Sequence, residues 1–136
     1  MTREEKYPNT NTFKFFNNNP KNKITSDCVI RAIALAEDKA WQTVLQELAD
    51  LSIKTGLMIN DVKLFEKYLE ENNWKKNKQM KKVNNTKYSG NEFCKMFATQ
   101  TIIANIGTHH TTCIKNGKVH DIWDCTSGAI GNYWTK

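Results

Sequence analysis

The chain of 136 residues, 39% hydrophobic and 25% charged, is long enough to bury one core and too short for two, so residues 1–136 are read as a single domain with a single site. No apolar run approaches the roughly 20 residues that a bilayer span requires, which excludes a spanning helix. A formal charge of +6 keeps acidic partners, nucleic acid among them, in view.

Residues 1–25 are rich in Asn, Thr and Lys, include Pro8 and Pro20, and offer only Phe13, Phe15 and Phe16 as hydrophobic anchors. They are expected to form an extended arm laid over the domain. The stretch carries acidic residues and no apolar run of signal-peptide type, which predicts a cytoplasmic protein with reduced thiols. Cys28, Cys94, Cys113 and Cys125 are even in number, but a chain with this many core-forming residues has no need of disulfide staples.

Ser26 and Asp27 precede an Ala- and Leu-rich stretch running from Cys28 to Ala36. Ser or Asp is a good N-cap, so Cys28 is placed at a helix N-terminus. A second helix is expected over 39–55, burying Trp41, Val44, Leu45, Leu48 and Leu51 or Ser52, with Gly56 as its stop. A third spans 60–72, opened by Asn60 or Asp61, with Val62, Phe65, Tyr68 and Leu69 inward. Next comes the basic run of Lys75, Lys76, Lys78, Lys81 and Lys82, read as a solvated loop or helix end, with a patch for an acidic or nucleic-acid partner as the alternative. Ser89 and Glu92 have capping-box spacing before Phe93, Met96 and Phe97, which predicts a short fourth helix.

From Gln100 to Trp123 the chain turns to Ile, Thr and Val, interrupted by Gly107 and by Asn116-Gly117, a strong hairpin signal. A two-residue turn there pairs Lys115 with Lys118, Ile114 with Val119, Cys113 with His120, Thr112 with Asp121 and His110 with Trp123. Side chains alternate along a strand, so His110, Thr112, Ile114, Val119, Asp121 and Trp123 share one face, and His109, Cys113, His120 and Asp124 the other.

A helix N-terminus and a neighbouring imidazolium both lower a thiol's pKa. Cys28 has the first by position and needs a base from elsewhere. His110 is the candidate base, with Asp121 diagonally beside it to accept the second imidazole N–H and Trp123 to shield that bond from water. His109 is the rival base, since a bulge at His109-His110 would exchange their directions. His109, Cys113, His120 and Cys125 are of metal-ligand type, but their spacing matches no closed zinc site, so neither metal nor cofactor is expected.

The order of Cys at a helix start, His opening a strand and Asp on the next strand resembles the papain-like cysteine peptidases in their small bacterial and phage-type forms. Asp27-Cys28 is similar to the opening of the peptidase domains that trim bacteriocin leaders, and Asp121-Ile-Trp123 is similar to the Asn-x-Trp element of papain. The resemblance implies a Cys28–His110–Asp121 triad acting on a protein or peptide substrate. It also implies an oxyanion-hole amide six residues before the nucleophile, where this chain has Asn22 in place of the family's Gln. The fold it implies is α+β, with N-terminal helices and the nucleophile helix packed on a C-terminal antiparallel sheet of about three to five strands. The alternative is a catalytically silent binding protein on the same scaffold that blocks a host or nucleic-acid partner.

Overall fold

The computed structural model describes residues 1–136. A one-turn helix, α1 (Arg3–Lys6), and a short strand, β1 (Phe13–Phe15), are followed by three helices, α2 (Cys28–Glu37), α3 (Trp41–Thr55) and α4 (Val62–Glu71). Then come β2 (Lys75–Asn77), α5 (Gly90–Met96) and the strands β3 (Ile102–Ile106), β4 (His110–Lys115), β5 (Lys118–Asp121) and β6 (Ile130–Thr135). The class is α+β, as expected. No helix is long and apolar enough to cross a membrane.

The helix boundaries follow local chemistry. Gly56 closes α3 at φ +78°, a left-handed geometry that costs glycine little. Ser89 and Glu92 complete a capping box at α5. On α4, Asp61 caps, accepting from the Lys63 amide at 2.9 Å, and Leu64, Phe65, Tyr68 and Leu69 are buried. Val62, expected inward, is instead 62% exposed, because the first residue after the cap lies a quarter-turn away from that face.

The sheet has six strands in the order β1-β5-β4-β3-β6-β2 and is mixed, which corrects the expected antiparallel sheet built from the C-terminal half alone. Two of its strands come from the N-terminal half. In the arm, β1 pairs parallel to β5, Phe13 opposite Val119 and Phe15 opposite Asp121, and Phe13 is completely buried. The basic run is likewise corrected: it opens as the edge strand β2, antiparallel to β6, rather than as a loop or helix end. Charged lysines suit an edge, since they discourage pairing with other chains. Lys76 is paired with Glu66 and Lys82 with Glu92.

The β4–β5 hairpin has the predicted register over Lys115–Lys118, Ile114–Val119 and Cys113–His120, but the ladder stops there: β5 ends at Asp121, Trp123 lies beyond it, and the expected Thr112–Asp121 and His110–Trp123 pairs are not part of it. Asn116 and Gly117 both take positive φ, +54° and +72°, as the turn requires. Both faces of the sheet are covered. Ile103 and Trp134 pack against α2, α3 and α4 through Ile30, Leu48, Phe65 and Leu69. Ile102, Ala104, Ile106 and Tyr133 pack against Phe93 of α5 and against Phe13. The helix carrying Cys28 is thereby pressed onto the strand that begins with His110.

Candidate active site

Cys28 is the first residue of α2, and Asp27 precedes it as expected, yet the Asp27 side chain caps no helix amide. The carboxylate is engaged elsewhere: it accepts from Arg31 Nε at 2.8 Å, Trp41 Nε1 at 2.9 Å and Asn19 Nδ2 at 3.0 Å. The first-turn amides of α2 are thus left without a side-chain acceptor at the end where Cys28 sits.

His110 opens β4 and Asp121 closes β5, and their side chains meet: Nε2 of His110 lies 2.6 Å from Asp121 Oδ2. That leaves Nδ1 for the thiol. Asp121, 1% exposed, is held by three further donors: Arg31 Nη1 at 2.9 Å and its neighbour's amide, Ile122 N, at 2.8 Å on Oδ1, and Cys125 Sγ at 3.7 Å on Oδ2. The Trp123 ring stands 5.2 Å from the imidazole, centre to centre, tilted by 52°.

The electrostatics follow from these contacts. Burial pushes the Cys28 thiol up, but the His110 imidazole, the Thr111 amide and the positive charges of His110 and Arg31 outweigh it, and the net shift is down. Burial pulls His110 down, while bonding to Asp121, Cys125 and Cys28 carries it up to about 11. For Asp121 burial again opposes the charged form, and His110 and Arg31 overcome it, so the carboxyl lies below its ordinary range. All three shifts run toward the charged forms, thiolate, imidazolium and carboxylate. By contrast, burial raises Cys94 to about 11 and Cys113 to about 12, and it raises Cys125 as well. All four cysteines are unpaired.

A cleft of about 750 Å³ opens over Cys28, His110 and Trp123. His109 also borders it, but at φ +56° His109 turns the corner between β3 and β4, and the imidazole that meets Asp121 belongs to His110. Asn22 is not brought to the site. It is exposed, sits in a turn at φ +53°, does not line the cleft, and its Oδ1 accepts from Asn17 Nδ2 at 3.5 Å. The chain between the arm and α2 folds back on its own asparagines, which holds that side chain outside.

The chain matches no family model, no curated protein and no solved structure.

Two features escaped the reading of the sequence. Arg31 joins Asp27 to Asp121, and its only sequence signal is a single cation four residues after Asp27 in an otherwise apolar helix. Cys125 joins His110 and Asp121 in a set of donor atoms lying within 4.8 Å of one another, of metal-ligand type. A metal there would have to displace His110 from Oδ2 of Asp121 and compete with the Arg31 guanidinium on Oδ1, so the set fits a hydrogen-bonded carboxylate better than a cation site. Of the ligand-type residues weighed from sequence, Cys113 faces His120 across the hairpin, but His120 Nδ1 is bonded to its own strand at Lys118 O, 2.9 Å away.

Proposed function

We propose that the protein is a papain-like cysteine hydrolase that cleaves a peptide, isopeptide or amide bond through an acyl-enzyme. The observation that carries this reading is that Cys28 and His110 border one cleft while buried Asp121 holds the imidazole from behind, with Nε2 committed to the carboxylate and Nδ1 left for the thiol. The Cys28 thiolate attacks the substrate carbonyl, forming a C–S bond. His110 gives its proton to the leaving amine as the C–N bond breaks, then takes one from the water whose oxygen attacks the thioester, and the C–S bond breaks to release the acid and restore the thiolate–imidazolium pair. Asp121 holds the imidazole and its charge. The developing oxyanion is served by the uncapped amides at the start of α2, that of Cys28 first among them. The order of Cys, His and Asp along the chain, and Trp123 beside the pair, are the features shared with papain-like enzymes.

A second reading keeps the scaffold without the chemistry: a binding protein that uses the cleft, or the lysines of the basic run, to occupy a partner. The position of Asn22 favours it, since no side-chain amide from that residue reaches the oxyanion.

Alkylation by iodoacetamide across pH, read by mass spectrometry in the wild type and in His110→Ala, separates the two. The hydrolase reading expects Cys28 alone to be labelled well below pH 8, with selectivity lost in the variant, while Cys94, Cys113 and Cys125 stay protected by burial and raised pKa. Labelling of Cys28 no faster than Cys94 overturns it in favour of the binding protein.

A further inference from the structure

The charges bordering the cleft are unequally committed. Arg31 is bound by two carboxylates, Asp27 and Asp121. His110 is bound by Asp121, and Asp61 caps α4. Arg3 is different. Its Nε donates to the carbonyl of Ile122 at 2.5 Å and its guanidinium carbon lies 5.4 Å from the centre of the Tyr7 ring, so the group is held at the cleft beside Trp123. None of the chain's ion pairs includes it, although Glu4 and Glu5 adjoin it in sequence. A half-buried guanidinium fixed through Nε presents Nη1 and Nη2 as a planar fork, the geometry that binds a carboxylate through two parallel hydrogen bonds.

The remaining lining is largely apolar. Ile24, Val29, Ile59, Val62 and Phe65 border the cleft, and Ile24 and Val62 are 50% and 62% exposed, apolar surface with nothing of this chain to cover it. We infer that the substrate carries a carboxylate that Arg3 binds, in the same cleft as the bond that Cys28 attacks, together with an apolar group lodged against Val29, Val62 and Phe65. An acidic peptide or acyl amino acid has this chemistry. The inference rests on the hydrolase reading above. It adds that selection is for negative charge at one end of the cleft, and it assigns the N-terminal arm a part in recognition.

The test uses chloroacetyl-glycine, chloroacetyl-β-alanine and chloroacetyl-γ-aminobutyrate, each paired with its neutral carboxamide, as alkylating agents of graded reach. Rates at Cys28 are measured in the wild type, Arg3→Gln and Arg3→Lys. In the wild type one carboxylate reagent is expected to outpace its carboxamide by about tenfold, the effect of one well-placed charged hydrogen bond. Arg3→Gln abolishes that preference, read as the ratio of the carboxylate and carboxamide rates within the variant. Arg3→Lys, which keeps the charge without the fork, retains part of it and serves as the reporter if Arg3→Gln fails to fold. Equal preference in the wild type and both variants overturns the role of Arg3 while the hydrolase reading stands. Absence of selective Cys28 labelling by the carboxamides overturns the hydrolase reading, and this inference with it.

Discussion

Arg31 links α2, which Cys28 opens, to β5, whose last residue bonds His110: its Nε donates to Asp27 beside Cys28 and its Nη1 donates to Asp121 beside His110, at 2.8 and 2.9 Å. One guanidinium, 6% exposed, thus sets the distance between α2 and β5. Replacing it takes a charged partner from each of two buried carboxylates, leaving Asp27 only the neutral donors Trp41 and Asn19. Arg31→Met is expected to cost about 3–5 kcal/mol in urea unfolding, and Arg31→Lys to recover only part, because one ammonium cannot make both bonds along the fork.

Asp27 and Asp121 both have carboxyls below their ordinary value of 3.8, each against the opposing effect of burial, through bonds to Arg31 and, respectively, to Asn19 and Trp41 or to His110. A depressed carboxyl stabilises the fold above its unfolded value and loses that contribution as pH falls through its folded value. The urea midpoint is therefore expected to hold steady from about pH 6 to 5 and to fall steeply toward pH 2. A midpoint that does not move between pH 5 and pH 3 contradicts the ion pairs.

Trp123 covers one side of the imidazole. Its removal admits water to the His110–Asp121 bond and weakens the field that lowers the Cys28 pKa. In Trp123→Ala the pH midpoint of Cys28 alkylation is expected to rise toward the ordinary thiol value of 9.0, cutting the rate at pH 6 by about tenfold for each unit of rise. An unchanged profile would show that the ring is packing alone.

Phe13 is 0% exposed and lies in the same cluster as Phe93, Ile106 and Val119. Phe13→Ala is expected to cost about 3–5 kcal/mol, the range for a buried aromatic, whereas loss of an anchor merely laid over the surface would cost far less. Thermal and urea unfolding distinguish the two.

Local signals in the sequence were reliable where neighbours in the chain decide the outcome. Asn116-Gly117 set the turn and the turn set the register of the three pairs nearest it; His110 and Asp121, expected on one face, meet by their side chains just beyond that ladder. Ser89, Glu92 and Gly56 likewise marked their helix ends. What could not be read depends on partners distant in sequence. The segment Phe13–Phe15 has no pattern that distinguishes a draped arm from a strand, and only the free edge of β5 makes it one. Asp27 looks like a cap because aspartate before a helix usually is one, and Arg31, Trp41 and Asn19 draw it away. Asn22 was placed by counting back from Cys28, and counting cannot foresee a turn at positive φ.

The pairing of β1 with β5 also bears on how the molecule is made. Phe13 lies opposite Val119, and the Phe16 amide donates to the Asp121 carbonyl at 2.9 Å, so an early segment waits for a late one. During synthesis on a ribosome, Phe13 and Phe15 stay uncovered until β5 emerges, a ready handle for a chaperone and a long-range closure that slows folding. The residue that orients His110 arrives in that same late strand. Until β5 has emerged, the nascent chain carries Cys28 and His110 without the carboxylate that pairs with that imidazole.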